Sequence, residues 1–304
     1  MSKNLSVNVA GISFKNPLLT ASGTFGFGLE YRRFFEPEIL GGIVVKGLTP
    51  QPKIGNPGIR IAETPAGMLN AIGLENPGVD TFVRSILPSV AEIGVPVIAN
   101  AAGGTEEDYV EVVQKLQVPG IAGIELNISC PNVKEGGIAF GGDPVVAARL
   151  VRKVREVCKC PLIVKLSPNV TDIVQMALAV EDAGADAISM INTLVGMGIN
   201  VERRRPLIGN VIAGLSGPAV KPVAVRMVWQ VAQEVKIPII GMGGITCAND
   251  ALEFILAGAR AVALGTAWFH NPWVAQEILA DLDSYMDRHG VKDINELVGA
   301  LEIA

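Results

Sequence analysis

Cys130 has the surroundings of a working thiol. It sits in Glu125-Leu-Asn-Ile-Ser-Cys-Pro-Asn132, just beyond an apolar run, with Asn127, Ser129 and Asn132 as polar neighbours. A thiol so placed can act as base or nucleophile once ionised. Cys158, Cys160 and Cys247 lack such neighbours and read as inert packing, and none of the four has the C-x2-C spacing of a zinc or iron–sulfur site. Lys46 closes Ile-Val-Val-Lys, and Lys165 lies within Leu-Ile-Val-Lys-Leu. A lysine on a packing face is costly without an anion beside it. The two lysines therefore point to a bound anion, or to Schiff-base chemistry if one of them is neutral. Ser22, Asn100, Ser167, Asn192 and Thr193 also end apolar runs. Gly241-Met-Gly-Gly-Ile245 and Ala263-Leu-Gly-Thr266 supply glycines whose backbone N–H groups can hold a phosphate. Glu125 is the only carboxylate at a run's end, too few for a metal site, so none is expected. The two histidines, His270 and His289, follow the last run and read as surface or packing residues.

These residues need a scaffold that gathers strand ends. Apolar runs occur at Pro17 to Ala21, Gly42 to Lys46, Pro96 to Asn100, Ile124 to Ser129, Leu162 to Ser167, Ala187 to Asn192, Ile239 to Gly243 and Ala261 to Gly265. Between them, Glu106 to Leu116, Pro144 to Val157, Val170 to Ala183, Val220 to Val235 and Ala248 to Ala257 carry apolar residues at three- and four-residue spacing, which predicts helices. Eight strands alternating with helices predict an α/β fold, a (β/α)8 TIM barrel with its chemistry at the carboxyl ends of the strands. Leu5 to Val9 and Ile12 to Phe14 flank Ala10-Gly11 and predict a small N-terminal β-hairpin. The stretch from Gly47 to Thr81 is rich in proline and glycine, excludes regular helix, and reads as a long loop covering the substrate. No linker or repeat divides the chain, which predicts one catalytic domain over residues 1–304.

The composition agrees: hydrophobic residues are 49% and aromatics 5%, the Val, Ile, Leu and Ala bias of strands buried on both faces. A net charge of −5, without long like-charged runs, argues against nucleic acid or membrane as partner. No apolar stretch approaches the roughly twenty residues of a membrane span. No signal peptide is readable at Met1 to Leu5, and a cytoplasmic setting is expected.

Five motifs resemble the class 1 dihydroorotate dehydrogenases. They are Ala21-Ser-Gly-Thr-Phe-Gly26, Gly67-Met-Leu-Asn-Ala-Ile-Gly-Leu-Glu-Asn-Pro-Gly78, Asn127-Ile-Ser-Cys-Pro-Asn132, Gly214-Leu-Ser-Gly217 and Gly241-Met-Gly-Gly-Ile245. The resemblance runs from about Leu5 to Leu301 and, within class 1, is to the B subtype, the catalytic subunit of an NAD-linked enzyme. It implies FMN held by Ser22, Lys46, Gly47, Asn100, Asn127, Lys165, Ile191, Gly217, Gly243, Gly244, Gly265 and Thr266. It implies substrate at Lys46, Asn70, Ala71, Ile72, Gly73, Leu74, Asn127, Asn192 and Thr193, with Cys130 as catalytic base. Lys53 and Ala213 depart from the pattern, standing where arginine and glycine are expected.

The implied activity is oxidation of (S)-dihydroorotate to orotate in pyrimidine biosynthesis, with hydride to FMN and proton to Cys130. No G-x-G-x-x-G follows a strand and no cysteine set suits a cluster, so electrons bound for NAD must leave through another protein. The resemblance implies a partner subunit carrying FAD and [2Fe–2S], docked on a homodimer of this chain to make a heterotetramer. The alternatives are a fumarate-linked homodimer of the same class, a quinone-linked enzyme, a Schiff-base lyase or aldolase using Lys46 or Lys165, and a non-catalytic binding barrel. The quinone-linked type is expected to carry an N-terminal extension and a serine base, neither of which is read here.

Overall fold

The computed structural model describes residues 3–128 and 140–303. The eight predicted strands are present as β1 (Leu18–Thr20), β2 (Ile43–Val44), β3 (Val97–Ala101), β4 (Gly123–Asn127), β5 (Leu162–Lys165), β6 (Ala187–Met190), β7 (Ile239–Met242) and β8 (Ala261–Leu264). They pair in parallel in chain order from β2 to β8, with β8 pairing back onto β1. The seam between β1 and β2 is closed by a Leu19–Gly42 bridge. There Gly41 N–H donates to Leu18 O (2.9 Å), and the Thr20 hydroxyl accepts from Val44 N–H (2.9 Å). The sheet is thus a (β/α)8 barrel without a free edge. Several predicted runs extend a residue or two past the observed strands at their carboxyl ends.

The outer helices are α1 (Glu106–Leu116), α2 (Pro144–Val157), α3 (Ile173–Asp182), α4 (Lys221–Ala232), α5 (Ala248–Leu256) and α6 (Val274–His289). Their starts are written locally. Thr105 Oγ1 accepts from Asp108 N–H while Asp108 accepts from Thr105 N–H, a capping box that opens α1. Asp143 caps α2, with Pro144 in the first turn. In α2, Ala147, Ala148, Leu150, Val151 and Val154 form the buried stripe against the barrel. The sequence reading did not predict α6, which follows the last strand and ends at Gly290 in the left-handed conformation (φ 67°). No helix among the described residues is long and apolar enough to cross a membrane.

The N-terminal hairpin pairs Val7–Val9 with Ile12–Phe14. It turns at Ala10 and Gly11, both at positive φ (54° and 84°), as a two-residue hairpin turn requires. Ile12 and Phe14 pack where Gly123 and Gly42 lack side chains, so the hairpin plugs the amino end of the barrel.

The expectation of a loop over residues 47–81 is corrected. Ile61–Thr64 and Gly67–Asn70 are strands of a four-stranded antiparallel sheet, completed by Ala213–Ser216 and Leu194–Gly196. A short helical run from Val79 then leads toward β3. The sheet has its own small core of Leu69, Ala71, Ile208 and Ala213. Its central strands come from segments over a hundred residues apart, with Gly214 opposite Asn70. Such pairing leaves little local signal among prolines and glycines.

Candidate active site

The strand registers place the polar residues. Asn100 lies opposite Glu125, Asn127 opposite Lys165, and Lys165 opposite Ser189. Side chains alternate along a strand, so Glu125 and Asn127 share a face, and all five side chains fall on one face of the sheet. Their exposures are 0% for Asn100 and Ser189, 1% for Glu125, 4% for Lys165 and 9% for Asn127. A buried polar group must be satisfied within the protein, and Glu125 is the centre of that arrangement. Asn100 Nδ2 donates to Glu125 Oε2 at 2.5 Å, and Ser189 Oγ donates to Oε1 at 2.7 Å. Lys165 Nζ stands 3.8 Å from Oε2. Asn127 Nδ2 approaches Asn100 Oδ1 at 3.5 Å, and the Tyr109 hydroxyl of α1 anchors Asn127 by donating to its carbonyl at 2.8 Å.

Around this ring lie the other predicted residues. Lys46 is half-buried at the end of β2. Glu75 is held below the usual carboxylate range by its hydrogen bond from Arg60 (2.6 Å) and by the charge of Lys46 nearby. A Cβ on Gly47 would lie 2.8 Å from Asn100 Oδ1 and 3.5 Å from Leu74 Cδ2, so Gly47 lets the backbone approach the ring. Asn70 and Thr193 converge on Gly214: Asn70 Nδ2 donates to Gly214 O at 3.4 Å, and a Cβ on Gly214 would strike Thr193 Oγ1. Ala71, Ile72, Gly73 and Leu74 form a pinned turn. Asn56 bonds the carbonyls of Ala71 and Ile72, and Asn76 bonds that of Leu74 (2.7 Å). Asn192 follows β6, its N–H donating to Leu166 O and its Oδ1 accepting from Thr193 N–H.

The glycine motifs assemble at β1, β7 and β8, on another part of the rim. Gly217, Gly243 and Gly244 have φ of 98°, 130° and 78°. A Cβ on Gly244 would come within 2.8 Å of Gly217 O, and one on Gly243 within 3.4 Å of Ile191. Thr266 Oγ1 donates to Ser216 Oγ at 2.7 Å. Gly265 is open: a Cβ there would find nothing nearer than Ala21 at 3.7 Å, next to half-buried Ser22. The N–H groups of Gly244, Gly265 and Thr266 donate to no acceptor among the described residues. A cavity of about 280 Å³ borders this cluster, lined by Thr64 to Gly67, Thr246, Thr266 and His270 among others.

Cys130 lies outside the described residues, as do Ser129 and Asn132. The packing role expected for Cys247 is corrected: it is exposed, at the start of α5. Cys158 and Cys160 lie beyond α2 with their sulfurs 3.6 Å apart. His270 is exposed, and His289 stacks on Tyr285 at the end of α6. The sequence reading missed Ser189 and Ser216 and set Glu125 aside. The available signal was parity, since Ser189 and Glu125 each interrupt an apolar run on the inward-facing positions.

A barrel whose polar groups collect at the carboxyl ends of its strands, beside glycine loops whose N–H groups meet no acceptor among the described residues, has the layout of a (β/α)8 enzyme. The chain belongs to the dihydroorotate dehydrogenase family, flavin-dependent oxidoreductases, whose profile matches residues 4–286. It is 60% identical over 301 residues to the protein named dihydroorotate dehydrogenase B (NAD(+)), catalytic subunit, of Desulforudis audaxviator, covering 99% of this chain and 98% of that one. Proteins of the same name from Geotalea uraniireducens and Geobacter sulfurreducens are 57% and 55% identical, covering 98% and 99% of both chains respectively.

Proposed function

We propose that this chain is the catalytic subunit of an NAD-linked dihydroorotate dehydrogenase, oxidising (S)-dihydroorotate to orotate for pyrimidine synthesis with FMN as its cofactor. The observation that carries the reading is Lys165: an ammonium group 4% exposed at a strand end, ringed by amides and only partly matched by Glu125 at 3.8 Å. Such a site favours a flat, anionic, amide-like ligand edge. The residues suit FMN. The free N–H groups of Gly244, Gly265 and Thr266 provide for a phosphate. Asn100, Asn127 and Lys165 offer donors and acceptors to a ring, with Lys46, Gly47, Ser22, Ile191, Gly217 and Gly243 completing the holding set.

When bound, FMN supplies a hydride acceptor. The chain's own residues do the rest. Lys46 holds the substrate carboxylate, while Asn70, Asn127, Asn192 and Thr193 fix the ring by amide-type hydrogen bonds, with the Ala71, Ile72, Gly73 and Leu74 turn as wall. Cys130, assigned by its motif, takes the proton from the carbon beside the one bearing the carboxylate. The NAD-linked names of the relatives favour this form over a fumarate-linked one. Electrons then pass to NAD through a partner subunit carrying FAD and [2Fe–2S], on a homodimer of this chain within a cytoplasmic heterotetramer. The chain acts as one catalytic domain over residues 1–304.

The test is an anaerobic absorbance spectrum of the purified chain before and after dihydroorotate. Flavin bands that bleach on addition are the expected result. A colourless protein that cannot be reconstituted with FMN overturns the reading. Cys130→Ala is expected to keep FMN and lose nearly all turnover, with Cys130→Ser recovering more at high pH. An unchanged rate in Cys130→Ala removes the thiol from the base role.

A further inference from the structure

We infer that Glu125 is a positioning residue that offsets part of the charge of Lys165 and orients Asn100 at the mouth of the barrel; this rests on the FMN reading above. Glu125 is 1% exposed and lies behind Asn100 and Lys165, so its partners rather than its own oxygens face a ligand. Its carboxylate joins four neighbouring strands: it stands on β4 and meets Asn100 on β3, Lys165 on β5 and Ser189 on β6. The Asn100 amide and the Ser189 hydroxyl donate to separate oxygens, which fixes the plane of the carboxylate. Two consequences follow. Asn100 donates an N–H to Glu125, which fixes the amide with Oδ1 facing Asn127 and Gly47. Lys165 keeps only a 3.8 Å ionic contact, too long for a hydrogen bond, so its N–H donors remain available to a ligand while part of its charge is offset.

A core of this kind need not contain a carboxylate for stability, because buried charges are costly to desolvate and a well-packed apolar side chain often replaces a buried pair without loss. Its value here is electrostatic. In a water-poor site a fixed negative charge beside the lysine lowers the lysine's power to stabilise an anionic ligand, and so tunes how readily the bound cofactor accepts electrons.

The experiment is a dye-equilibrated redox titration of FMN-loaded wild type, Glu125→Gln and Ser189→Ala. Glu125→Gln keeps the shape and the hydrogen bonds, since its Oε1 can accept from Asn100 and its NH2 can donate to Ser189 Oγ. It removes the negative charge, and the midpoint potential is expected to rise. Ser189→Ala strips a donor from the carboxylate and leaves its charge less neutralised, so the potential is expected to fall. A merely structural role would move neither potential in this opposed way. Wild-type potentials in both folded variants, or shifts of the same sign, overturn the inference. Should Glu125→Gln not fold, Ser189→Ala decides alone: a lower potential supports the inference and any other value overturns it. Failure of the wild type to bind FMN overturns the underlying reading and this inference with it. Normal FMN binding by the wild type with unmoved variant potentials sinks this inference only.

Discussion

Deleting Lys165 and Glu125 together is expected to cost far less stability than the two separate deletions summed. Their side chains are 5% and 2% exposed and their charged atoms 3.8 Å apart. At an effective dielectric of about 20 that separation corresponds to an attraction of about 4 kcal/mol. Lys165→Met leaves Glu125 buried with two neutral donors, and Glu125→Gln leaves a buried ammonium with no carboxylate. Each single change should therefore cost about 3 kcal/mol or more, the usual penalty of an uncompensated buried charge. The double variant has no buried charge left to compensate, and the coupling term should approach the Coulombic figure. The assay is equilibrium urea unfolding of the cofactor-free protein for all four forms of the cycle, repeated in high salt. Because the pair is hidden from solvent, salt should change the coupling little. A coupling below about 1 kcal/mol, the range of an exposed ion pair, would refute the reasoning by showing that water reaches Lys165 and screens it.

Gly217→Ala is expected to disturb cofactor binding through the backbone. At φ 98° a side chain costs about 1–2 kcal/mol, and the new Cβ would lie 2.6 Å from Gly67 Cα. The hairpin carrying Gly67 must shift, so FMN affinity should fall about tenfold or more, for a loss of about 1.4 kcal/mol or more. Gly58→Ala is the control, because its φ is also positive (74°) but nothing lies within 4 Å of the new atom. Equal FMN affinity in the two variants would exclude the clash as the cause. The thiol pair gives a pH prediction. The Cys158 thiol is lowered to about 7 by a hydrogen bond from Cys160 and by the Arg155 charge. Cys160 is pushed up by the same hydrogen bond and by burial. A depressed folded-state value adds stability that is full above the ordinary thiol value, near 9, and is lost as pH falls through about 7. Wild type should therefore gain stability over Cys158→Ser as pH rises from about 7 to 9, read by urea midpoints. Parallel curves for the two proteins would contradict the assignment.

The barrel was legible because its strands are buried on both faces. Leu162, Ile163 and Val164 in β5 or Ala187 and Ile188 in β6 form unbroken apolar runs that the alternating helices reinforce. Apolar spacing alone gave α1 and α2 their observed bounds, Glu106–Leu116 and Pro144–Val157. The accessory sheet was not legible, since Met68 and Leu69 find their partners at Leu215 and Ser216, far along the chain. The helix α6 escaped for a different reason. It has an ordinary amphipathic pattern and is the helix that the (β/α)8 repeat calls for after β8, but the sequence reading ended at the last strand.

The polar ring carries the more general lesson about reading such sites. Lys165 and Asn127 could be recognised one at a time, because each ends an apolar run. Ser189 could not, since a single serine inside Ala-Ile-Ser-Met is common in buried strands, where it bonds to backbone. What changes its meaning is register. Pairing Lys165 with Ser189, Asn127 with Lys165 and Asn100 with Glu125 puts their side chains on the same face of adjacent strands. A slip of one residue in any of those strands would turn its polar side chain outward among the helices, where a charge has no partner. The cost of that exposure to an apolar layer makes the site itself a constraint on the fold: Glu125, by bonding across three strand boundaries, penalises wrong registers as strongly as it orders the right one. Residues that hold a barrel in register and residues that tune its chemistry are, at this level of the barrel, the same residues.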